Sequence, residues 1–514
     1  MKSVMTHSFS NVPSADIQRS SFDRSHGYKT TFDSGYLVPI FVDEALPADT
    51  FNLRMNGFAR MATPIRPIMD NLFMDTFFFA VPVRLLWDNW EKFNGAQSNP
   101  DDSTDFLIPT MTPDAGGYQA GSLSDYFGIP TGVDDIEHST LYHRAYNLIW
   151  NEWFRDENLQ DSAVVDLDDG PDQETDYPLR RRGKRHDYFT SALPWPQKGE
   201  AVSLPLGVSA PIAGSSEQPN FVGVVDDETG VLRRLTSDIG NVQVDSQIAA
   251  DPANALYADL TNATAATINS LRQAFQIQKL LERDARGGTR YTEVIKSHFG
   301  VTSPDARLQR PEYLGGGSSP IQINPVQQTS STDATTPQGN LAAFGTAAFS
   351  GHGFSKSFTE HCIVIGLVNV RADLTYQQGL NRMFSRQTRY DFYWPALSHL
   401  GEQAVLNKEI YAQGNEKDEE VFGYQERYAE YRYKPSLITG KFRSTDAQSL
   451  DIWHLSQEFA DLPTLSSTFI EDNPPIDRVI AVPSEPQFLF DSYFNLHCAR
   501  PMPTYSVPGL IDHF

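Results

Sequence analysis

The chain has 514 residues, 40% of them hydrophobic, with 33 prolines and 34 glycines spread along its length. That is ample material for a large core, but the density of breakers excludes long regular helices and heptads and predicts many short elements joined by ordered loops. Its 65 acidic and 41 basic residues leave a formal charge of −24. This excludes nucleic-acid binding by bulk electrostatics, since phosphates are bound by Lys and Arg displacing counterions, so an enclosed genome would need a basic partner or a local basic face.

In chain order, residues 1–35 are polar and aperiodic and read as an arm that crosses neighbours or stays disordered. Gly35 to Val42 reads as the first strand, with Pro39 favouring an edge. Leu72 to Arg84, rich in Phe and Val, reads as a strand buried on both faces that ends at Pro82. Trp87, Trp90 and Phe93 follow at helical spacing and read as core packing. A helix is expected over about Ser139–Asn158, with Leu141, Ala145, Leu148, Ile149 and Trp153 on one face and Ser139 as N-cap.

An acidic loop, 156–176, is followed directly by the basic run Arg180, Arg181, Arg182, Lys184 and Arg185. The run has two readings, ion pairing with the acidic loop beside it or a lining for packaged DNA. Residues 202–250 are polar and turn-rich, with Gly214, Ser215, Asp226, Asp227 and Gly230 in the turns and Phe221 as the one large aromatic. They read as a β-hairpin excursion on the surface. Residues 265–285 form the clearest helix, with Ile268, Leu271, Phe275 and Leu281 as its expected buried stripe, and a second helix spans Tyr291–Phe299 and stops at Gly300. The Gly, Ser, Thr and Gln stretch 315–352 is too polar to build a core and reads as an extended arm or loop. Strands are expected again at His361–Arg371, Val421–Lys434, Asp477–Pro483 and Gln487–Cys498. Strands at both ends and helices inside a central insertion fit a mainly β barrel; a jelly roll is a common solution, though periodicity does not separate it from another sandwich.

Little points to chemistry. Cys362 and Cys498 are the only cysteines, so a disulfide framework and a cysteine-rich zinc site are excluded, and buried thiols in a reducing compartment are expected. The start of the chain carries no apolar signal core, and its most apolar run, Phe77 to Val83, falls far short of the ~18 residues that span a bilayer, so no membrane insertion is expected. There is no phosphate loop, nucleophile elbow or H-E-x-x-H motif, and the 12 histidines show no ligand spacing. Asp166 to Gly170 misses the EF-hand order, with Tyr177 where the closing Glu belongs, and reads as a solvated acidic loop, with a calcium clip between subunits as the lesser reading. No catalytic, cofactor-binding or metal-ligating residue is assigned, and the chain is read as a non-enzyme.

Long strings of this sequence resemble the major capsid proteins of microviruses, the gokushovirus branch above all. They include Phe51 to Gly57, the block Pro64 to Trp90, Leu141 to Asn151, Asp187 to Pro196, Leu271 to Lys279, Glu282 to Tyr291 and Gly423 to Arg432. The resemblance implies an eight-stranded antiparallel jelly roll with long insertions containing a few helices. It divides the chain into 1–201 (arm and first part of the barrel), 202–250 (surface insertion) and 251–514 (helical insertion, extended arm and remainder), all within one capsid domain. It further implies a T=1-type icosahedral shell of identical copies around circular single-stranded DNA, assembled in the bacterial cytoplasm and found in the virion. The partners it implies are an internal scaffolding protein, a small basic DNA-binding protein, a DNA pilot protein and a host cell-surface receptor. Threefold protrusions that meet the host are implied as well, with 202–250 as the candidate. The alternative is a jelly-roll carbohydrate-binding protein or glycosidase.

Overall fold

The structure, a computed structural model, describes residues 17–202, 212–214, 222–225, 232–238, 241–249, 256–258, 268–330, 332 and 337–505. The chain divides into two compact units, Met1–Pro196 with Gly287–Phe514, and Gln197–Arg286.

In the first unit, nine of the described strands form one antiparallel sheet: β1 (Ser20–Asp23), β2 (His26–Phe32), β3 (Val38–Ala45), β4 (Thr50–Met61), β5 (Leu72–Pro82), β6 (Glu312–Gln327), β7 (Leu341–Ser357), β8 (Cys362–Ala372) and β9 (Phe488–Arg500). β1 and β2 share one edge of β9, so the sheet has eight rows in the order β2, β9, β4, β7, β6, β5, β8, β3. Four of the long-range pairings follow one rule: β2 takes β9, β3 takes β8, β4 takes β7 and β5 takes β6, while β9 also lies against β4 and β8 against β5. That is a long hairpin rolled up on itself, which makes a jelly roll. The two edges meet through side chains. Arg24 pairs with Asp43, the His26 ring stacks on Phe41 at 5.9 Å, and Tyr28 Oη donates to the Pro39 carbonyl at 3.3 Å.

The two halves of the barrel differ in cover. β4 and β9 alternate strictly between buried and exposed residues, so one face meets the core and the other meets solvent. β5 and β8 are buried on both faces, as their apolar runs predict. Inside the barrel pack Phe51, Leu53, Phe78, Val364, Phe488 and Phe494. On the outer side of β5 and β8, Phe79, Val81, Ile363 and Ile365 meet Trp87, Tyr146, Ile149 and Trp150. The last three lie on α1 (Leu141–Trp153). This helix is shorter than the expected 139–158. Thr140 precedes it, and Phe154 leaves the helical path to pack edge-on against Phe77 and Phe79, with centroids 5.3 and 5.9 Å apart. A third core of Tyr188, Phe189, Val405, Ile410, Phe422 and Phe469 organises the segment between β8 and β9.

Four readings need correction. Residues 315–352 are not an arm: they supply most of β6 and β7, at the centre of the sheet. Backbone pairing on both sides holds them, and small residues permit it. A Cβ on Gly316 would collide with the Thr76 carbonyl, and the Phe349 ring occupies the space where a Gly57 side chain would stand. Residues 20–32 likewise pair with β9 instead of wandering. Asp477–Pro483 is a turn: Ile476, Val479 and Ile480 are buried at i, i+3 and i+4, a helical spacing, and 476–478 form a 3-10 turn. The expected strand Val421–Lys434 ends at Glu426, ahead of Tyr428 at φ +64°. Pro39 does lie on an edge strand, since β3 pairs only with β8.

The second unit contains a three-stranded antiparallel sheet, Val222–Val225, Leu232–Asp238 and Asn241–Ala249, and the pair Ile212–Gly214 with Leu256–Ala258. It also carries α2 (Ile268–Gly287) up to Arg286. The stripe expected to be buried on α2 is not: Ile268 is 69% and Phe275 62% exposed. The spacing shows that one face wants cover but does not say what supplies it. The next helix, α3 (Tyr291–Phe299), belongs to the first unit and stops at Gly300 with φ +70°, as its sequence predicts.

Candidate nucleic-acid and subunit interfaces

The basic run lies between the segment leading into β3 and the segment 470–472. Leu37 N–H donates to Arg180 O (3.0 Å) and Arg182 N–H to Gly35 O (2.8 Å); on the other side Asp472 N–H donates to Arg182 O (2.8 Å) and Lys184 N–H to Ile470 O (2.7 Å). Backbone pairing on both sides fixes where each cation points. Arg180 stacks on Trp150 at 4.7 Å, and burial pulls its pKa down. Arg181 stacks on Tyr36 at 4.0 Å and donates to the Asp472 carbonyl at 3.0 Å.

Arg182 donates to Asp75 at 2.6 Å, and Arg371 reaches the same carboxylate at 2.8 Å. Burial raises the Asp75 pKa, but hydrogen bonds from Ser318, Arg371 and Arg182 outweigh it and hold the carboxyl below its ordinary value. Lys184 is buried. Its Nζ donates to Phe469 O at 2.5 Å and Gln457 Oε1 at 3.1 Å, and burial pushes its pKa down to about 8. Arg185 keeps 62% of its side chain exposed, 3.3 Å from Asp373. With Arg182 and Arg371 it borders a cleft that Phe77, Phe79 and Tyr313 also line.

The adjacent acidic loop therefore does not supply the run's carboxylates. Its own acids have other partners: Asp172 binds the fully buried Arg144 in two-pronged fashion, at 2.8 and 2.5 Å. Asp169 accepts from Trp87 Nε1 at 2.7 Å and Asn89 at 2.9 Å. Of the residues assigned to a surface protrusion, Gly214 ends the short strand that pairs with Leu256–Ala258. Ser215, Phe221, Asp226, Asp227 and Gly230 lie outside the described residues.

A second surface escaped the sequence reading. Residues 379–394 and 427–443 together hold eight Lys and Arg against two carboxylates, in a chain of charge −24. They pack on each other: Tyr393 meets Tyr428 at 5.3 Å and Tyr431 at 6.3 Å. Arg386 stacks on Tyr431 at 4.4 Å and pairs with Glu430 at 3.2 Å. Arg389 lies over Tyr390 and Trp394. Phe384, Tyr390, Phe392, Tyr393, Trp394 and Tyr431 remain largely exposed. The signal was visible as arginines interleaved with aromatics from Arg386 to Trp394. Tyr, Trp and Arg are the residues that anchor protein interfaces.

Residues 10–510 match the family described as "Capsid protein (F protein)". The chain belongs to this phage capsid protein family. Among its relatives is the capsid protein VP1 of Bdellovibrio phage phiMH2K, 54% identical over 99% of this chain and 98% of the relative. VP1 of Chlamydia phage 1 is 48% identical over 99% and 98%, and VP1 of Spiroplasma virus 4 is 40% identical over 98% and 97%. The gokushovirus-type resemblance read from the sequence thus holds from end to end, and the protein is a structural capsid protein, not an enzyme. The glycosidase alternative falls with that result. Among the described residues, no helix is long and apolar enough to cross a membrane.

Proposed function

We propose that this capsid protein closes, in many identical copies, into a T=1-type icosahedral shell around circular single-stranded DNA. An internal scaffolding protein assists, and assembly takes place in the bacterial cytoplasm. The observation that carries the reading is the exposed arginine–aromatic surface of 379–394 and 427–443. Monomeric proteins rarely leave so large an apolar patch bare, and in a closed shell it becomes a subunit contact. A small basic protein offsets much of the genome's charge, as a shell chain of −24 requires. A DNA pilot protein completes the particle. Arg185, at the mouth of its cleft, is the member of the basic run open to phosphate. The insertion 202–250 forms the threefold protrusion and meets a host cell-surface receptor.

Coexpression with the scaffolding protein tests the reading by negative-stain microscopy. Uniform closed particles are expected. A population of single subunits in the presence of the scaffolding protein refutes it.

A further inference from the structure

We propose that the solvent face of the β2–β9–β4–β7 half of the barrel is the platform on which the enclosed single-stranded DNA lies. The inference rests on the genome-enclosing function proposed above. It locates the contact somewhere other than the basic run, whose cations are mostly tied down by their neighbours.

The strict alternation in β4 and β9 sends one set of side chains to the core and leaves the other in solvent. On β4 the solvent set includes Arg54, Asn56, Phe58 and Arg60. The register fixes their neighbours: Arg60 sits between Leu489 and Thr346, Phe58 between Asp491 and Ala348, Asn56 between Tyr493 and Ser350, and Arg54 beside Asn495. Phe58 is 50% and Tyr493 51% exposed. The two rings stand diagonally on adjacent strands, close enough to form one exposed platform instead of isolated apolar side chains. Among the described residues, no carboxylate lies within ion-pair distance of Arg54 or Arg60. Asp491, the acid between these strands, is answered by Lys29 at 3.3 Å. Most other arginines described above have a carboxylate or an aromatic ring against them, so two guanidinium groups on one strand with no carboxylate against them among the described residues stand out in a chain this acidic.

Arg54 and Arg60 are six residues apart, about 20 Å along a strand. Between them lie two ring faces and an amide. Cations at either end with rings between suit a single-stranded nucleic acid, whose phosphates take the arginines while its bases stack on the aromatics without regard to sequence. The same face of a second copy fits worse, because it would set arginine against arginine with no carboxylate to spare.

The test uses the full-length protein and a fluorescein-labelled oligothymidylate of about 30 nucleotides, read by anisotropy across a salt series. Replacing both arginines (Arg54→Gln with Arg60→Gln) should weaken binding at least tenfold. It should also flatten the slope of log K against log salt by about 1.4, two phosphates at about 0.7 each. Phe58→Thr with Tyr493→Thr should weaken binding about tenfold with the slope unchanged. All four side chains are exposed, so both variants should melt with the parent protein. Particles coexpressed with the scaffolding protein should still form from both variants and hold less DNA, which separates this proposal from the shell-forming reading itself. Unchanged oligonucleotide affinity overturns the proposal. So does intact affinity combined with lost assembly, which would make the face a protein interface.

Discussion

Arg144→Met offers the sharpest test of how the capsid chain is held together. The guanidinium is fully buried and grips Asp172 with two hydrogen bonds, at 2.8 and 2.5 Å, while the Asp172 side chain is itself 1% exposed. Arg144 also donates to the carbonyls of Leu86 (3.1 Å) and Asp168 (3.0 Å), and Tyr177 donates to Asp172 at 2.5 Å. Truncating the arginine leaves a buried carboxylate with one partner and two carbonyls without their donor. Breaking a buried pair from one side costs about 3–5 kcal/mol. Asp172→Leu alone should cost somewhat less, since the cation keeps the two carbonyls and the exposed Asp168 carboxylate at 3.3 Å.

The double variant, Arg144→Met with Asp172→Leu, removes both charges. It should lose only about 1–2 kcal/mol, for the unpaired Tyr177 hydroxyl and the two carbonyls. Urea unfolding followed by tryptophan fluorescence reads this directly, because Trp87 and Trp150 are buried in the same cluster. A single-variant loss below about 1 kcal/mol, or a double-variant loss equal to the sum of the singles, would refute the reasoning. The pH dependence has a definite sign. Burial raises the Asp172 pKa, but the bonds from Arg144 and Tyr177 outweigh it and leave the net value lowered. The pair's contribution is therefore full above the unfolded carboxylate value and is lost as pH falls through the lowered one.

Within the basic run, Arg182→Gln should cost about 2 kcal/mol, since it leaves the buried Asp75 with a single cation, Arg371, whereas Arg185→Gln should stay within about 0.5 kcal/mol; equal urea midpoints for the two would contradict the clamp geometry. Burial pushes the Asp472 carboxyl up to about 7, so the folded chain keeps a proton there that the unfolded chain gives up near pH ~4. That stabilisation is complete below the unfolded value and gone above about 7, so Asp472→Asn should gain on the parent protein as pH rises across this window. An equal difference in urea midpoint at both ends of it rules the effect out. Trp394→Ser with Tyr431→Ser should leave the melting temperature unchanged and block particle formation, scored by negative-stain counts. Deleting residues 205–248 should spare assembly and reduce attachment to host cells; a deletion that prevents folding contradicts the surface-insertion reading.

Local pattern was the part of this fold open to reading from sequence. Alternation marks β4, where Phe51, Leu53 and Met55 turn inward, and the doubly buried β5 and β8 announce themselves by continuous apolar runs. β6 and β7 were missed because glycine and serine carry no hydrophobic signal, and backbone pairing with the Phe-rich β5 and with β4 holds them instead. The basic run was visible as a feature, but its partners were not: Asp75 lies 107 residues away and Asp472 lies 291. Proximity in sequence suggested the acidic loop, yet those acids had been claimed by Arg144, Trp87 and Asn89. Arginines interleaved with aromatics in 379–394 were legible as composition. Their exposure was not, because cover depends on the third core behind them.

The mirrored pairing of the barrel has a consequence for its birth on the ribosome. His26 must find Phe494, so the edge of the sheet cannot close until nearly the whole chain has been made. At ~5–20 residues per second, that wait lasts on the order of half a minute or more. During it β4 keeps an unpaired edge, since β7 is made long after it and β9 only near the end. Cohesion arrives late and from a distance, which makes for slow folding and a long window for aggregation.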